Sequence, residues 1–80
     1  MFKLGSEVEI GRGRIQMWGY DVVRLWLVKD MNVYRKYSKT HCYKVMGACQ
    51  DTEGKYHGWC TVADGTLKQM RAFMNNYAEA

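Results

Sequence analysis

The sequence predicts an α+β fold, an antiparallel β-sheet of four to five strands with a C-terminal amphipathic helix (about 66–78) packed on one face. Two stretches of alternating apolar and polar residues, 7–18 and 42–62, each contain a glycine-bearing turn, which is typical of β-hairpins. Near the C-terminus, apolar residues recur at helical spacing. A sheet and a helix with one apolar face each bury those faces against one another. Eighty residues leave little material for a second unit, so we expect a single domain over 1–80.

The first hairpin is predicted from two alternating segments, 7–10 and 14–18. Gly11-Arg12-Gly13 between them supplies the positive-φ positions that a tight turn requires. The same residues lack the spacing of a phosphate-binding glycine loop, so the turn is the favoured interpretation. Arg12 and Arg14 on a protruding turn would nevertheless be well placed to contact an anion.

Residues 22–28 form a dense apolar run, interrupted only by Arg24, with three β-branched side chains, which indicates a buried central strand. The alternative is a helix that begins at Asp21, an acceptable N-cap, and continues to about Tyr37. The strand is favoured, and the helix stays open at this point.

The second hairpin is predicted from Asp51-Thr52-Glu53-Gly54, which has Asp and Gly at the first and fourth positions of a type I turn. Pairing Gln50 with Lys55 then places Gly47 directly across from Gly58. We expect a flat patch without side chains there, which another element could approach closely.

That element is predicted to be the C-terminal helix. Thr66 and Gln69 have the spacing of a capping box, and the following apolar residues form one stripe: Leu67, Met70, Phe73, Met74 and Tyr77. We expect Met70 or Phe73 to lie over the paired glycines, so that valine at Gly47 or Gly58 would push the helix off the sheet.

Catalytic and metal-binding chemistry is not indicated. The three cysteines are an odd number without CxxC spacing, which favours reduced thiols, with Cys49 and Cys60 as small buried apolar residues. Neither His41 nor His57 is placed by strand geometry to activate its nearest cysteine, and only His57 and Cys60 have zinc-ligand spacing. We therefore expect no catalytic residue, metal or cofactor, and an enzyme is the least favoured class.

The net charge of +4 lies in the middle third, where residues 21–44 contain six basic and two acidic side chains. Between Tyr34 and Lys44 the basic groups alternate with aromatic rings. Such a segment can bind single-stranded nucleic acid, can bind an acidic protein surface, or can be an ordinary solvated strand. All three interpretations stay open.

Three tryptophans, six tyrosines and six methionines exceed what so small a core can bury. Some of the following must be exposed or lie in an oligomer interface: Met17, Trp18, Trp26, Met31, Met46, Trp59 and the tyrosines. This favours a protein-binding role, with a small basic nucleic-acid-binding module as the alternative, and a homodimer is possible. The longest apolar run, 25–28, is too short to span a bilayer, so no membrane association is expected.

In overall build, an 80-residue chain with a basic, aromatic-rich surface and no catalytic motif, the protein resembles small phage-encoded anti-defence proteins, anti-CRISPR proteins among them. The likeness involves no specific motif. It implies an inhibitor that sterically blocks a host protein or nucleoprotein complex in the bacterial cytoplasm. The partner-binding residues expected on this basis are Arg24, Tyr34, Arg35, Lys36, Tyr37 and Lys39, and we add Arg12 and Arg14 from the turn.

Overall fold

The computed structural model describes residues 2–78 and has the predicted fold class, a five-stranded antiparallel sheet with a C-terminal helix packed against it. In chain order the elements are β1 (Glu7–Glu9), β2 (Gln16–Met17), β3 (Tyr20–Lys29), α1 (Met31–Lys36), β4 (Tyr43–Gln50), β5 (Tyr56–Gly65) and α2 (Leu67–Ala78). The order across the sheet is β1-β3-β4-β5, and β2 also pairs with β3. Strand β3 is therefore central, as its dense apolar run predicted.

The segments of the predicted 7–18 hairpin are both strands, but they do not pair with each other in the way we expected. β1 pairs with Arg24–Trp26, and β2 pairs with Tyr20–Asp21, so both follow the same edge of β3. Ile10 and Ile15, at the two ends of the connecting loop, are buried in the core and hydrogen-bond to the β3 backbone. The backbone edge of β3 is long enough to pair with both segments, and the predicted pairing of 7–10 with 14–18 is wrong.

The alternative helix over 21–37 is also wrong for most of its length, because the chain is a strand as far as Lys29. A single short helix, α1, follows. Its N-cap is Asp30, whose carboxylate accepts hydrogen bonds from the amides of Asn32 (3.0 Å) and Val33 (3.2 Å).

The turn at 51–54 is confirmed, but the predicted register of the β4–β5 hairpin is wrong. The Gly54 amide donates to the Asp51 carbonyl, and Gly54 itself has a φ of +84°, which adds one residue to the loop. Gln50 consequently pairs with Tyr56 rather than Lys55. A second irregularity, where Gly58 has a φ of +90°, then brings Cys60 opposite Gly47.

Beyond Gly58 the two shifts add up to two residues, which restores the predicted faces, because side chains alternate with a period of two. Cys60 and Val62 therefore pack with the core, together with Val45 and Cys49. The register predicted from Gln50 and Lys55 also places Tyr56 on the core face, which is wrong: Tyr56 follows only one shift and lies on the opposite face, 57% exposed, beside Trp59. Gly47 and Gly58 are not opposite each other, however. A β-carbon at Gly47 would lie 2.6 Å from a Val62 methyl and 2.7 Å from a Val22 methyl, so valines of the sheet fill this space. The expectation that α2 lies over paired glycines is wrong.

Helix α2 begins with the predicted capping box. The Thr66 amide donates to Gln69 Oε1 (3.0 Å), and the Gln69 amide donates to Thr66 Oγ1 (3.2 Å). Its apolar stripe packs against the core face of the sheet, where Met70 and Met74 are buried together with Leu25, Leu27 and Val45. This packing leaves the opposite face of the sheet without a covering layer among the described residues.

Candidate partner-binding face

The face of the sheet opposite α2 carries large apolar side chains. Strand pairing places Trp26 beside Met46 and Met46 beside Thr61, forming one row across β3, β4 and β5. Trp59 lies in the next row, and its ring is 5.5 Å from that of Trp26, centre to centre. We call this surface, with Met31 and Leu4 at its border, the open face. Its tryptophans are 37% (Trp26) and 45% (Trp59) exposed, so the patch is accessible.

A groove of about 720 Å³ crosses the open face. Its lining is mainly apolar and includes Leu4, Trp26, Val28, Met31 and Met46, with the charged residues Lys29, Asp30 and Lys44 among the rest. One side is closed by the N-terminal loop, where the Gly5 amide donates to the Leu27 carbonyl (2.7 Å) and holds Leu4 beside β3. The other end is closed by Met31, the first residue of α1. Backbone hydrogen bonding and a helix cap therefore build the walls of the groove.

Two of the basic groups near the groove form ion pairs within the chain. Arg24 forms an ion pair with Glu9 (2.9 Å), and Glu7 is 3.9 Å away. The hydrogen bond with Glu9 is the main cause that raises the pKa of Arg24 above its usual value. Lys44 Nζ is 2.6 Å from Asp30 Oδ2, and this contact, followed by the Val33 amide, lowers the pKa of Asp30. These pairs leave the groove itself dominated by apolar contact.

The structure places seven of the eight sequence-predicted contact residues in two groups at opposite ends of the sheet, and the eighth, Arg24, lies on the open face. Arg12 lies at the end where Asp21 pairs with Gln50, and its guanidinium contacts Asp21 Oδ2 (2.9 Å), Gln50 Oε1 (2.7 Å) and the Asp51 carbonyl (2.6 Å). Arg14 donates to the carbonyl of Tyr77 and packs 5.0 Å from the centre of its ring. Both arginines are exposed and also hold parts of the fold together.

The other group lies in α1 and the loop that follows it, next to Met31 and the groove. Tyr34 is half-buried, with Lys29 Nζ 3.8 Å and Lys39 Nζ 6.0 Å from its ring centre. Arg35 and Lys36 are exposed, and Tyr37 is 82% exposed. We call residues 34–39 the cationic segment. It adjoins the open face, and of the eight predicted residues only Arg24 lies on that face itself.

The open face is what sequence reasoning missed as a site, although the surplus of tryptophan and methionine indicated that some of these residues are exposed. In β3 both alternating sets are apolar, with Leu25 and Leu27 on one face and Trp26 and Val28 on the other. Such a strand is usually buried on both faces. The sequence did contain a signal for this site. It predicts a strand that is apolar on both faces and only one long helix to cover them, so one face has to stay exposed.

The histidines have partners other than cysteine. His41 Nδ1 is 2.8 Å from Thr40 Oγ1, and His57 Nε2 is 2.8 Å from Asp51 Oδ2 while its ring stacks on Tyr20. Within residues 2–78, no group of three or more His, Cys, Asp or Glu side chains is placed to hold a metal ion. No helix in that range is long and apolar enough to cross a membrane.

Comparisons with known proteins place the chain in no established group. No protein-family model matches it, and neither a curated protein nor a solved structure is significantly similar to it.

Proposed function

We propose that this protein is a non-enzymatic binding protein that holds a partner protein on the open face of its sheet. In the form that its overall build suggests, it is a phage or mobile-element inhibitor of the anti-CRISPR type, acting in the bacterial cytoplasm by covering a host protein or nucleoprotein complex. The observation that supports this proposal is the exposed pair Trp26 and Trp59 beside an apolar groove. Tryptophan is the residue type most enriched where binding energy concentrates in protein interfaces.

The size of the open face defines what the partner must contact. A fully buried aromatic side chain contributes roughly 150–250 Å², so two half-exposed tryptophans with Met31 and Leu4 offer a few hundred Å². A stable interface buries about 800 Å² on each partner. The open face is therefore the centre of such an interface, and the partner must extend onto neighbouring residues, of which the cationic segment is the most exposed.

This arrangement favours a partner of defined chemistry. The groove accepts an apolar side chain or a short apolar segment, while Arg35, Lys36 and Lys39 attract acidic groups next to it. We expect a protein surface with an apolar anchor and carboxylates to one side. Binding would block the partner by occupying that surface.

Nucleic-acid binding is the second candidate, and the cationic segment favours it. Tyr37 is available for stacking on a base and lies between Lys36 and Lys39, which can contact phosphates. On the open face, in contrast, Glu7 and Glu9 border Trp26 and Arg24 and would repel phosphates.

The test compares two tryptophan variants of matched chemistry. Affinity-tagged wild-type protein, the double variant Trp26→Ser/Trp59→Ser, and Trp18→Ser are each used to capture proteins from a bacterial lysate. Trp18 is 83% exposed but lies in the turn between β2 and β3, away from the open face. We expect one protein to be captured by wild type and Trp18→Ser and reduced about tenfold or more by the double variant, a loss of ~1.4 kcal/mol.

Equal capture by all three proteins, or capture of nothing, would contradict the proposal, provided that circular dichroism shows the double variant to be folded. Titration with single-stranded DNA and RNA at two salt concentrations tests the alternative. Tight, salt-sensitive binding that Arg35→Glu/Lys36→Glu abolishes and Trp26→Ser/Trp59→Ser preserves would favour the nucleic-acid-binding module instead.

A further inference from the structure

Two of the three cysteines approach each other across neighbouring strands. Cys49 in β4 and Cys60 in β5 have their sulfur atoms 3.0 Å apart, and both sulfurs lie within 3.8 Å of the Gly47 carbonyl oxygen. The irregularity at Gly58 produces this approach, because it moves Cys60 opposite Gly47 and so diagonally beside Cys49. Cys42 is buried but is not part of this pair.

We propose that Cys49 and Cys60 form a reversible intramolecular disulfide when the protein meets a disulfide oxidant. A disulfide has an S–S length of about 2.05 Å, so the two sulfurs need to move together by only about 1 Å. The proposal concerns this pair of thiols and does not depend on the proposed function.

The disulfide forms in two thiol–disulfide exchange steps, and the burial of the two cysteines decides which of them reacts first. Cys60 is the more accessible sulfur, so its thiolate attacks oxidised glutathione first, breaking the glutathione S–S bond and releasing one glutathione thiolate. The Cys49 thiolate then attacks the Cys60 sulfur and displaces the second glutathione. Overall, two protein thiols lose two protons and two electrons, and one glutathione disulfide is reduced to two thiols.

Cys49 is suited to the second step only. Burial is the main cause that raises its pKa to about 11, and the neighbouring Cys60 contributes further. At neutral pH very little of it is thiolate, so it reacts slowly with an external oxidant. When the mixed disulfide forms at Cys60, however, the reacting sulfur is already beside it. We therefore expect slow oxidation that gives one product.

The test uses the folded full-length protein and oxidised glutathione, followed by denaturation, alkylation and trypsin digestion. Cleavage after Lys39, Lys44, Lys55 and Lys68 places each cysteine in its own peptide: Cys42 in 40–44, Cys49 in 45–55 and Cys60 in 56–68. We expect peptide 45–55 to be linked to 56–68 while 40–44 is alkylated. Dithiothreitol should reverse the link, and the oxidised protein should unfold several degrees higher than the reduced protein, because the bond constrains the unfolded chain.

Three controls make the outcome specific. Cys42→Ser should leave the link intact, whereas Cys49→Ser or Cys60→Ser should abolish it. In denaturant the same oxidant should give all three possible pairings, and in the folded protein only one. The proposal is overturned if all three peptides of the folded protein remain alkylated, if glutathione stays bound to Cys60, or if Cys42 enters the disulfide.

Discussion

Gly47 occupies a crowded position on the core face of the sheet. A methyl group there would meet the side chains of Val22 and Val62 at distances that β-carbon atoms essentially never show. Overpacking of a well-packed core usually costs about 1–3 kcal/mol. We expect Gly47→Ala to lower the free energy of unfolding by that amount, as measured by urea denaturation.

A double variant tests whether the Val62 side chain causes the crowding at Gly47. Shortening Val62 in the same background, as Gly47→Ala/Val62→Ala, should recover part of the loss, with a coupling energy of about 0.5–3 kcal/mol. Gly11→Ala is the matched control, because a β-carbon there would be 3.9 Å from the nearest atom, in Arg14. If the effects of the two substitutions are simply additive, the side chains do not compete for this space.

The surroundings of individual side chains could not be predicted from the sequence, as Arg12 and Tyr37 show. Arg12 and Tyr37 were both predicted as contact residues from their chemical type, yet Arg12 is held by Asp21 and Gln50 with its side chain 42% exposed, whereas Tyr37 is 82% exposed. The partners of Arg12 are 9 and 38 positions away along the chain. A local pattern cannot contain such contacts, because they arise only when the loop after β1 meets the end of β4.

At the scale of elements, the β4–β5 turn depends on Asp51. Its carboxylate accepts from the amides of Glu53 and Lys55 (both 2.9 Å) and contacts His57. The contact with His57 is the main cause that lowers the pKa of Asp51 below its ordinary value of 3.8, and the Lys55 amide is the next. The turn is thus stabilised by the ionised form of this side chain.

Because the folded state lowers the pKa of Asp51, the stability that this side chain contributes depends on pH. As the pH falls, the unfolded chain binds the proton first, so the contribution of Asp51 is present above about pH 4 and is lost as the pH falls through the lower folded-state value. We expect Asp51→Asn to lower the melting temperature at neutral pH and to make its fall below about pH 4 shallower than in wild type.

Glu53→Gln is the control for this measurement, since it removes one carboxylate from the same turn. Within residues 2–78 the Glu53 carboxylate has no hydrogen-bond or ion-pair partner, so this variant should keep the acid dependence of wild type. Parallel melting curves against pH for wild type and Asp51→Asn would show that the turn does not depend on the ionised carboxylate.

The elements differ in how well the sequence predicted them. The turn at 51–54 and the capping box of α2 were predictable, because each depends on residues within four positions of one another. The register of β4 against β5 was not. It depends on Gly54 and Gly58, which have positive φ, and on Val62, which is an extra residue between the pairs Met46–Thr61 and Val45–Ala63; each of the three shifts the pairing by one residue. The sequence shows where the glycines are, but not which of them adopt a positive φ.

At the scale of the whole molecule, the fold consists of one sheet and one long helix, and Met74 lies at the centre of their contact with no exposed surface. Methionine-to-alanine substitutions in a core cost about 2–5 kcal/mol. A domain of this size has a total stability of roughly 4–12 kcal/mol. We expect Met74→Ala to remove a large part of it in urea denaturation, whereas Lys68→Ala on the exposed side of α2 should change it little. A loss below about 1 kcal/mol for Met74→Ala would mean that α2 packs only loosely on the sheet.

The two-layer arrangement was predictable from apolar periodicity, and the open face was not. An apolar strand such as β3 does not show whether one or both of its faces are covered, since Trp26 and Leu25 look alike in a hydrophobicity pattern. Whether the second face is covered depends on how many layers pack against the sheet. In residues 2–78 a single long helix covers one face, and the tryptophans of the other face remain accessible.

Strand β5 forms the longest edge of the sheet, and its irregular pairing has a consequence for self-association. A straight edge of ten residues without proline would offer a continuous row of backbone donors and acceptors on which other chains could assemble into fibrils. The irregularities at Gly58 and Val62 divide the regular pairing of β5 into Tyr56, 59–61 and 63–65. Gly58 and Val62, which interrupt the simple register of the hairpin, thus also interrupt the edge on which another chain would pair, a feature by which sheet proteins limit edge-to-edge aggregation.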